Sequence, residues 1–365
     1  MKTKRIFLAA TKQNDGKTSA SLGLISAFSK KTANVGFIKP VGQRYLIEKG
    51  EKIDEDSILI KGVCGLKDGL KDMSPIAVER GFTARYIEGG KKQVLAGLVK
   101  RSFERVSKDK NLVIIEGTGH AGVGSVFDLS NARVASLLKS KVIIISSGGV
   151  GRPIDEVMLS KALFDREKVD VLGVIINKVL PGKYKKIKRL INLGFKRKGL
   201  KVFGIIPYYK MLSRPTVGQI LEEEKSIKYL CGKKGLENPV DKVIVGAMEP
   251  HEALNYISDN SLIITPGDRE DIMLTCMSSH LASGESESSI SGIVLTGGIK
   301  PHRSILNLIK KTDIPVLVAE EDTYTITSKI HDLIIKVKPR DAEKTEIIKK
   351  MVERYVDIDC LYNSI

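Results

Sequence analysis

Short, continuously apolar runs recur along the first 230 residues: RIFLAA, NVGFIKPV, NLVIIEG, KVIIISS, VLGVIIN and VFGIIP. Longer stretches of mixed polarity separate them, and TSASLGLISAFSKK, directly after the first run, reads as a helix. A strand with one wet face alternates apolar and polar residues, whereas an uninterrupted apolar run suits a strand covered on both faces. Strands of this kind alternating with helices predict a doubly wound, mostly parallel α/β sheet. After about residue 232 the pattern restarts with DKVIVGAM, SLIITPGDRED, ISGIVLTGGIK and IPVLVAEEDTYTI. Each closes in a polar or Gly-rich turn before a helix-like stretch. Between the two regions, CGKKGLENPVDK is polar, contains glycine and is interrupted by proline, as a linker should be. The expected organisation is a domain over residues 1–232 and a second, smaller α/β domain over residues 238–350.

A length of 365 residues agrees with two domains. No apolar run approaches the roughly 20 residues that span a bilayer, and the N-terminus lacks a signal-peptide pattern. Cys64, Cys231, Cys276 and Cys360 are scattered without C-x-x-C spacing, which indicates neither a metal site nor a disulfide framework. A cytoplasmic protein is expected. The net charge of +17 is densest in GKYKKIKRLINLGFKRKGLK, residues 182–201. That stretch has no aromatic interleaving for base stacking, and Ile187, Leu190, Ile191 and Leu193 give it an apolar side. It reads as a solvated helix face, so neither a nucleic-acid nor a membrane partner is favoured. ESESS, residues 285–289, reads as an exposed loop.

The chemistry begins where the first strand ends. TKQNDGKTS has the close of a phosphate loop, Gly16-Lys17-Thr18, but Thr11 stands where G-x-x-x-x-G-K-[ST] opens on glycine. Strand, loop and helix is the context such a loop requires, and threonine can replace that glycine where φ stays negative. Backbone N–H groups and the helix N-terminus would then face the phosphates, with Lys17 at the β/γ oxygens and the Thr18 hydroxyl on Mg²⁺. Thr11, Lys12, Asn14, Gly16, Lys17, Thr18 and Ser19 are the candidate nucleotide contacts. Lys39 ends the second strand and places a cation beside the loop. Asp56 follows in DEDS, and Glu116 emerges from the third strand into a Gly-rich loop. Mg²⁺ prefers oxygen ligands and keeps several waters, so Thr18, Asp56 and Glu116 form a plausible metal set. Asp56 also suits a helix N-cap, and His120 suits a loop hydrogen bond.

KPVGQR, EGTGHAGVGSVFDLSNARVA, VLGVIINKV and VFGIIPYYKMLSRPTVGQI resemble the dethiobiotin synthetase-like P-loop ATPases, in particular the version found in the N-terminal part of long phosphate acetyltransferases. The resemblance implies a P-loop NTPase domain that binds ATP and Mg²⁺, with Lys17 and Lys39 as catalytic cations. It also implies adenine contacts at Asn177 and Pro207. Dethiobiotin synthetases carry a small hydroxyl residue soon after the K-P pair, where this chain has Gln43 and Arg44, so dethiobiotin synthesis is not expected. The early lysine resembles that of partitioning ATPases, which reaches across a dimer. Gln13 and Asn14 replace the glycines after it, so Lys12 reads first as a surface lysine and second as a trans-acting one. A homodimer is the expected assembly.

VLTGG, residues 294–298, resembles the name-giving motif of the DRTGG module, although Asp268-Arg269 stand elsewhere, in TPGDRED. Asp268, Arg269, Thr296, Gly297 and Gly298 are either turn chemistry at strand ends or a pocket for a small carboxylate or other metabolite. Two functions follow. One is a regulatory or ligand-sensing protein with ATP·Mg²⁺ in its first domain, without phosphate acetyltransferase activity of its own. The other is an ATP-dependent ligase joining a carboxylate to an amine, of the dethiobiotin or cobyrinate-diamide synthetase type.

Overall fold

The computed structural model describes residues 3–89, 92–282, 290–333 and 335–365; the ESESS segment lies outside them. All six expected strands of the first region form one sheet: β1 (Lys4–Ala10), β2 (Val35–Ile38), β3 (Leu112–His120), β4 (Lys141–Ser147), β5 (Val171–Val179) and β6 (Lys201–Pro207). Their order is β6-β5-β4-β1-β3-β2, and every pairing is parallel. Ile6, Phe7, Ile114, Ile144 and Ile175 are wholly buried, as continuous apolar runs require in a sheet covered on both faces. The winding reverses at β1, with β3 and β2 on one side and β4 to β6 on the other. Such a reversal opens a crevice at the strands' carboxyl ends. Helix α1 (Lys17–Ser29) starts there.

Three more helices of this unit matter below: α2 (Glu55–Cys64), α3 (Gly151–Arg166) and α4 (Tyr184–Arg197). The basic patch is α4. It buries Ile187, Ile191 and Phe195, a stripe at four-residue spacing, while Leu193 is 49% exposed and Phe195 takes the inward place expected of it. Among the described residues no helix is long and apolar enough to cross a membrane.

The second sheet has five strands: β7 (Ile227–Cys231), β8 (Lys242–Val245), β9 (Ser261–Pro266), β10 (Gly292–Thr296) and β11 (Val316–Ala319), in the order β7-β11-β10-β9-β8. β8 to β11 are parallel, and β7 runs antiparallel along the edge. Successive residues of β9 serve opposite faces. Ile263 joins Met273 and Cys276 of α5 (Glu270–Ala282), and Leu262 and Ile264 join Ile326 of α6 (Thr323–His331).

The chain's compact units differ from the expected 1–232 and 238–350 at both ends of the second one, which runs from Lys210 to Lys336. β7 belongs to the second sheet; it is a half-exposed edge strand and lacks the continuous apolar run that marks the others. Val337–Ile365 returns to the first unit, where α7 (Ala342–Tyr355) lies along α1 with Ile348, Met351 and Val352 buried. A Cβ on Gly23 of α1 would lie 2.3 Å from a Val352 methyl, so glycine sets how closely the two helices approach. α8 (Ile358–Ser364) continues the cover: Tyr362 packs on Phe28 at 5.8 Å between ring centroids and accepts a hydrogen bond from Lys4 Nζ at 2.8 Å. The apolar positions of α7 do not by themselves say which core it joins.

Candidate functional site

The loop between β1 and α1 is built around a carboxylate. Asp15 Oδ2 accepts from the Thr11 hydroxyl and the Lys12 N–H, both at 2.8 Å, and Asp15 Oδ1 accepts from Ser147 Oγ of β4 at 2.5 Å. Thr11 also lies 3.0 Å from Ser146 Oγ. The loop's left-handed residues are Asn14 (φ 66°) and Gly16 (φ 96°). The tight turn therefore falls downstream of Thr11, and a hydroxyl pinned by Asp15 stands where the motif has its first glycine. Gly16 is fixed by space as well as by φ, because a Cβ there would sit 2.1 Å from Asn177 Nδ2. Asn177, at the end of β5, donates to the Asp15 carbonyl at 2.9 Å. Asp15 and Ser147 were missed in the sequence, since neither belongs to the motif and their meeting depends on β1 and β4 being neighbours.

Asp15→Ala leaves two hydroxyls and an N–H without their acceptor. We expect it to lower the unfolding free energy by about 2 kcal/mol, while Asp15→Asn, which keeps one acceptor oxygen, loses less. Urea melts of the two variants test this, and an alanine variant as stable as wild type would remove the network's structural role.

Beyond the loop, the structure brings five of the expected residues together. Thr18 Oγ1 donates to Glu116 Oε1 at 3.0 Å, and Ser21 Oγ, one turn along α1, donates to Glu116 Oε2 at 2.6 Å. Lys39 Nζ stands 3.0 Å from Asp54 Oδ1 and 3.6 Å from Glu116 Oε1, and contacts Asp56 Oδ2. The N-cap of α2 is Asp54, which accepts from Asp56 N–H at 3.0 Å, so Asp56 is left to face the cluster. Lys17 Nζ donates to the Gly119 carbonyl at 3.1 Å. That carbonyl is presented by a left-handed glycine (φ 62°), and Asn131 brackets the loop by bonding Thr118 N–H, Thr118 O and His120 O. His120 Nδ1 accepts from Gly122 N–H at 3.2 Å, a loop hydrogen bond. Ser19 lies in the first turn of α1, and Pro207 ends β6 in register with Val179.

Burial sets the electrostatics. Desolvation lowers the Lys17 pKa to about 8, against the pull of Glu116. Burial and the Asp56 charge push Glu116 up to about 7, although Lys39, Ser21 and Lys17 oppose the rise. Burial also works against the Lys39 ammonium, but Asp56, Asp54 and Glu116 more than offset it and hold its pKa above the ordinary lysine value. Among the described residues no three His, Cys, Asp or Glu side chains are grouped as a metal cage. Mg²⁺ needs only one or two carboxylates beside its waters, and the hard oxygens of Thr18, Asp56 and Glu116 fit that requirement.

Other expected contacts are engaged elsewhere. Lys12 Nζ pairs with Glu156 of α3 in its own chain at 3.4 Å. Arg44 Nε donates to Glu55 at 3.2 Å. In the second unit, Arg269 holds Asp271 through Nε (2.9 Å) and Nη2 (2.8 Å) and donates to the carbonyls of Ala247 and Met248. It clamps a loop onto α5. Thr296 bonds Thr323 at 2.7 Å, and the left-handed Gly297 and Gly298 donate to Glu321 O and Ala319 O. Asp268 lies in the turn after β9, and its backbone oxygen accepts from Glu270 N–H at 3.0 Å. A cleft of roughly 320 Å³ lies along edge strand β6, lined by Tyr184, Lys188, Arg354 and Tyr355; no phosphate-loop residue lines it.

Comparison with known proteins agrees with the fold. Residues 4–216 match AAA_26, an AAA domain, and residues 223–333 match the DRTGG domain. Phosphate acetyltransferase of Nitratidesulfovibrio vulgaris is 25% identical over 362 residues, 96% of this chain and 50% of that protein. The Synechocystis phosphate acetyltransferase is 26% identical over 371 residues, 99% of this chain and 52% of that protein. The chain thus spans about half the length of the curated relatives it matches. A solved cobyrinic acid a,c-diamide synthase from Mycobacterium smegmatis with bound ADP and magnesium is 14% identical, with a TM-score of 0.40 over 57% of this chain and 88% of that one.

Proposed function

The chain belongs to the AAA domain family AAA_26 and carries a DRTGG domain, and on that premise we propose that it is a cytoplasmic protein that binds ATP with Mg²⁺ and has a regulatory or ligand-sensing role, like the N-terminal region of phosphate acetyltransferase. One observation carries this reading. Lys17, Thr18, Lys39, Asp56 and Glu116, from four separate elements, meet at the carboxyl end of the sheet where its winding reverses. Thr18, Asp56 and Glu116 would hold Mg²⁺, which when bound would neutralise phosphate charge. Lys17, whose ammonium donates to the Gly119 carbonyl, would meet the γ-phosphate, the N–H groups after Gly16 would face the phosphate chain, and burial would keep water from weakening these contacts.

The ligase reading needs a receptor for a substrate carboxylate. Arg44, the residue suited to it, is paired with Glu55, which favours regulation. A homodimer belongs to the same proposal, as does a metabolite ligand for the DRTGG domain. Titration calorimetry of the full chain should show saturable binding of ATP·Mg²⁺ below millimolar concentration. No heat at millimolar ATP·Mg²⁺ sinks the reading. Phosphate release that appears only with a carboxylic acid and an amine together would replace regulation with ligation.

A further inference from the structure

Two of the three carboxylates near the phosphate loop are the ones expected to take the metal, yet all three surround an ammonium. Lys39 Nζ contacts Asp56 and lies 3.0 Å from Asp54 and 3.6 Å from Glu116; its side chain is 7% exposed. Asp54 is fixed independently of this lysine. It caps α2 through Asp56 N–H, its own N–H donates to Ser74 Oγ at 2.9 Å, and a Cβ on Gly42 would come within 2.4 Å of its Oδ2. Asp54 thus occupies a slot that only a glycine opposite leaves open. Hard divalent cations bind through anionic oxygens, and an ammonium held on the same oxygens competes for them.

We propose that Lys39 is a resident counter-ion that closes the metal position in the nucleotide-free protein, and that Asp54 is the positioning residue that keeps it there. The metal then enters only with a phosphate chain able to accept the lysine. This rests on the ATP·Mg²⁺ reading of the loop and adds to it the order in which the site fills.

Mn²⁺ shares the preference for oxygen ligands, and its free concentration is read by electron paramagnetic resonance. Titrated into the full chain without nucleotide, it should bind Lys39→Met at least tenfold more tightly than wild type. That variant removes the buried cation from beside three buried carboxylates, so Lys39→Met/Asp54→Asn, which removes one charge of each sign, is measured beside it, with a cooperative melt required of both. Asp54→Asn alone, which loosens the lysine without removing it, should gain two- to fivefold. Lys17→Met removes the same charge from the neighbourhood, but Lys17 donates to a carbonyl, so its gain should stay below threefold.

Folded Lys39 variants that bind Mn²⁺ no better than wild type overturn the proposal, as does an equal gain in Lys17→Met, which would reduce the effect to net charge. An unchanged Asp54→Asn removes Asp54 from it. These titrations contain no nucleotide, so a failure of wild type to bind ATP·Mg²⁺ is scored separately and counts against the functional reading.

Discussion

Lys17→Met is expected to lose ATP·Mg²⁺ binding by at least about 100-fold while raising the stability of the empty protein. The first effect follows from removing a buried cation that would face the γ-phosphate, since charged hydrogen bonds in dry sites are worth about 3 kcal/mol or more when one partner is deleted. The second follows from the lowered Lys17 pKa, about 8 against an ordinary 10.5. The unfolded chain holds a proton on this lysine more readily than the folded one. Its contribution to stability therefore rises with pH between about 8 and 10.5 and is least favourable below 8. Methionine has similar volume and no charge to desolvate, so at pH 7 the variant should gain about 1–3 kcal/mol. Urea melts and calorimetry on the same preparation measure both effects. Retained ATP affinity would remove the nucleotide from this loop. A variant less stable than wild type would mean that Lys17 is held by interactions stronger than its burial.

Glu116→Gln is expected to leave the fold intact and to reduce the pH dependence of Mg²⁺-dependent nucleotide binding below about pH 7. The Glu116 pKa is raised, from 4.5 to about 7, so the empty site favours the protonated acid only below about pH 7. Between those values the folded chain retains a proton that the unfolded chain releases, and this group's contribution to stability falls as pH rises through that window. Metal binding needs the carboxylate. Below about pH 7 the apparent Mg²⁺ affinity in the presence of ATP should rise with pH by up to about tenfold per unit, then level off. Glutamine is nearly isosteric and can accept from one of the Thr18 and Ser21 hydroxyls while its Nε2–H donates to the other, but it neither titrates nor carries charge for the metal. Calorimetry from pH 6 to 8 separates the two proteins. The same slope in both would make Glu116 a structural residue and move the titration to another group.

How much of the site was legible varies residue by residue. Gly16, Lys17 and Thr18 were readable because their chemistry depends on a local turn and a helix start. Lys39, Asp56 and Glu116 were readable as charges at the ends of, or just beyond, apolar runs, positions that put them at one edge of any doubly wound sheet. Asp15 was passed over because its role needs Ser147, 132 residues away along the chain. Asp54 was hidden behind Asp56: both are acidic residues at the start of one helix, and only the meeting with Gly42 shows which caps and which faces inward. Arg269 looked like an anion anchor because it follows a Pro-Gly turn at a strand end. Its guanidinium is engaged by Asp271 and by two carbonyls that no linear pattern places beside it.

The sequence by itself determined the parallel first sheet, the α/β character of the second region, the phosphate loop and the edge at which the charged residues gather. Each of these follows from runs of apolar residues and from the breaks between them, which act over a few residues at a time. Only the tertiary structure decided that residues 337–365 close over α1, that IKYLC joins the second sheet, and that three carboxylates share one lysine. An amphipathic helix such as α7 states that it must bury Ile348, Met351 and Val352, but any apolar groove would satisfy that demand. The partner was fixed by shape, through the space that Gly23 leaves on α1 for Val352, and shape of that kind arises only once distant segments are packed.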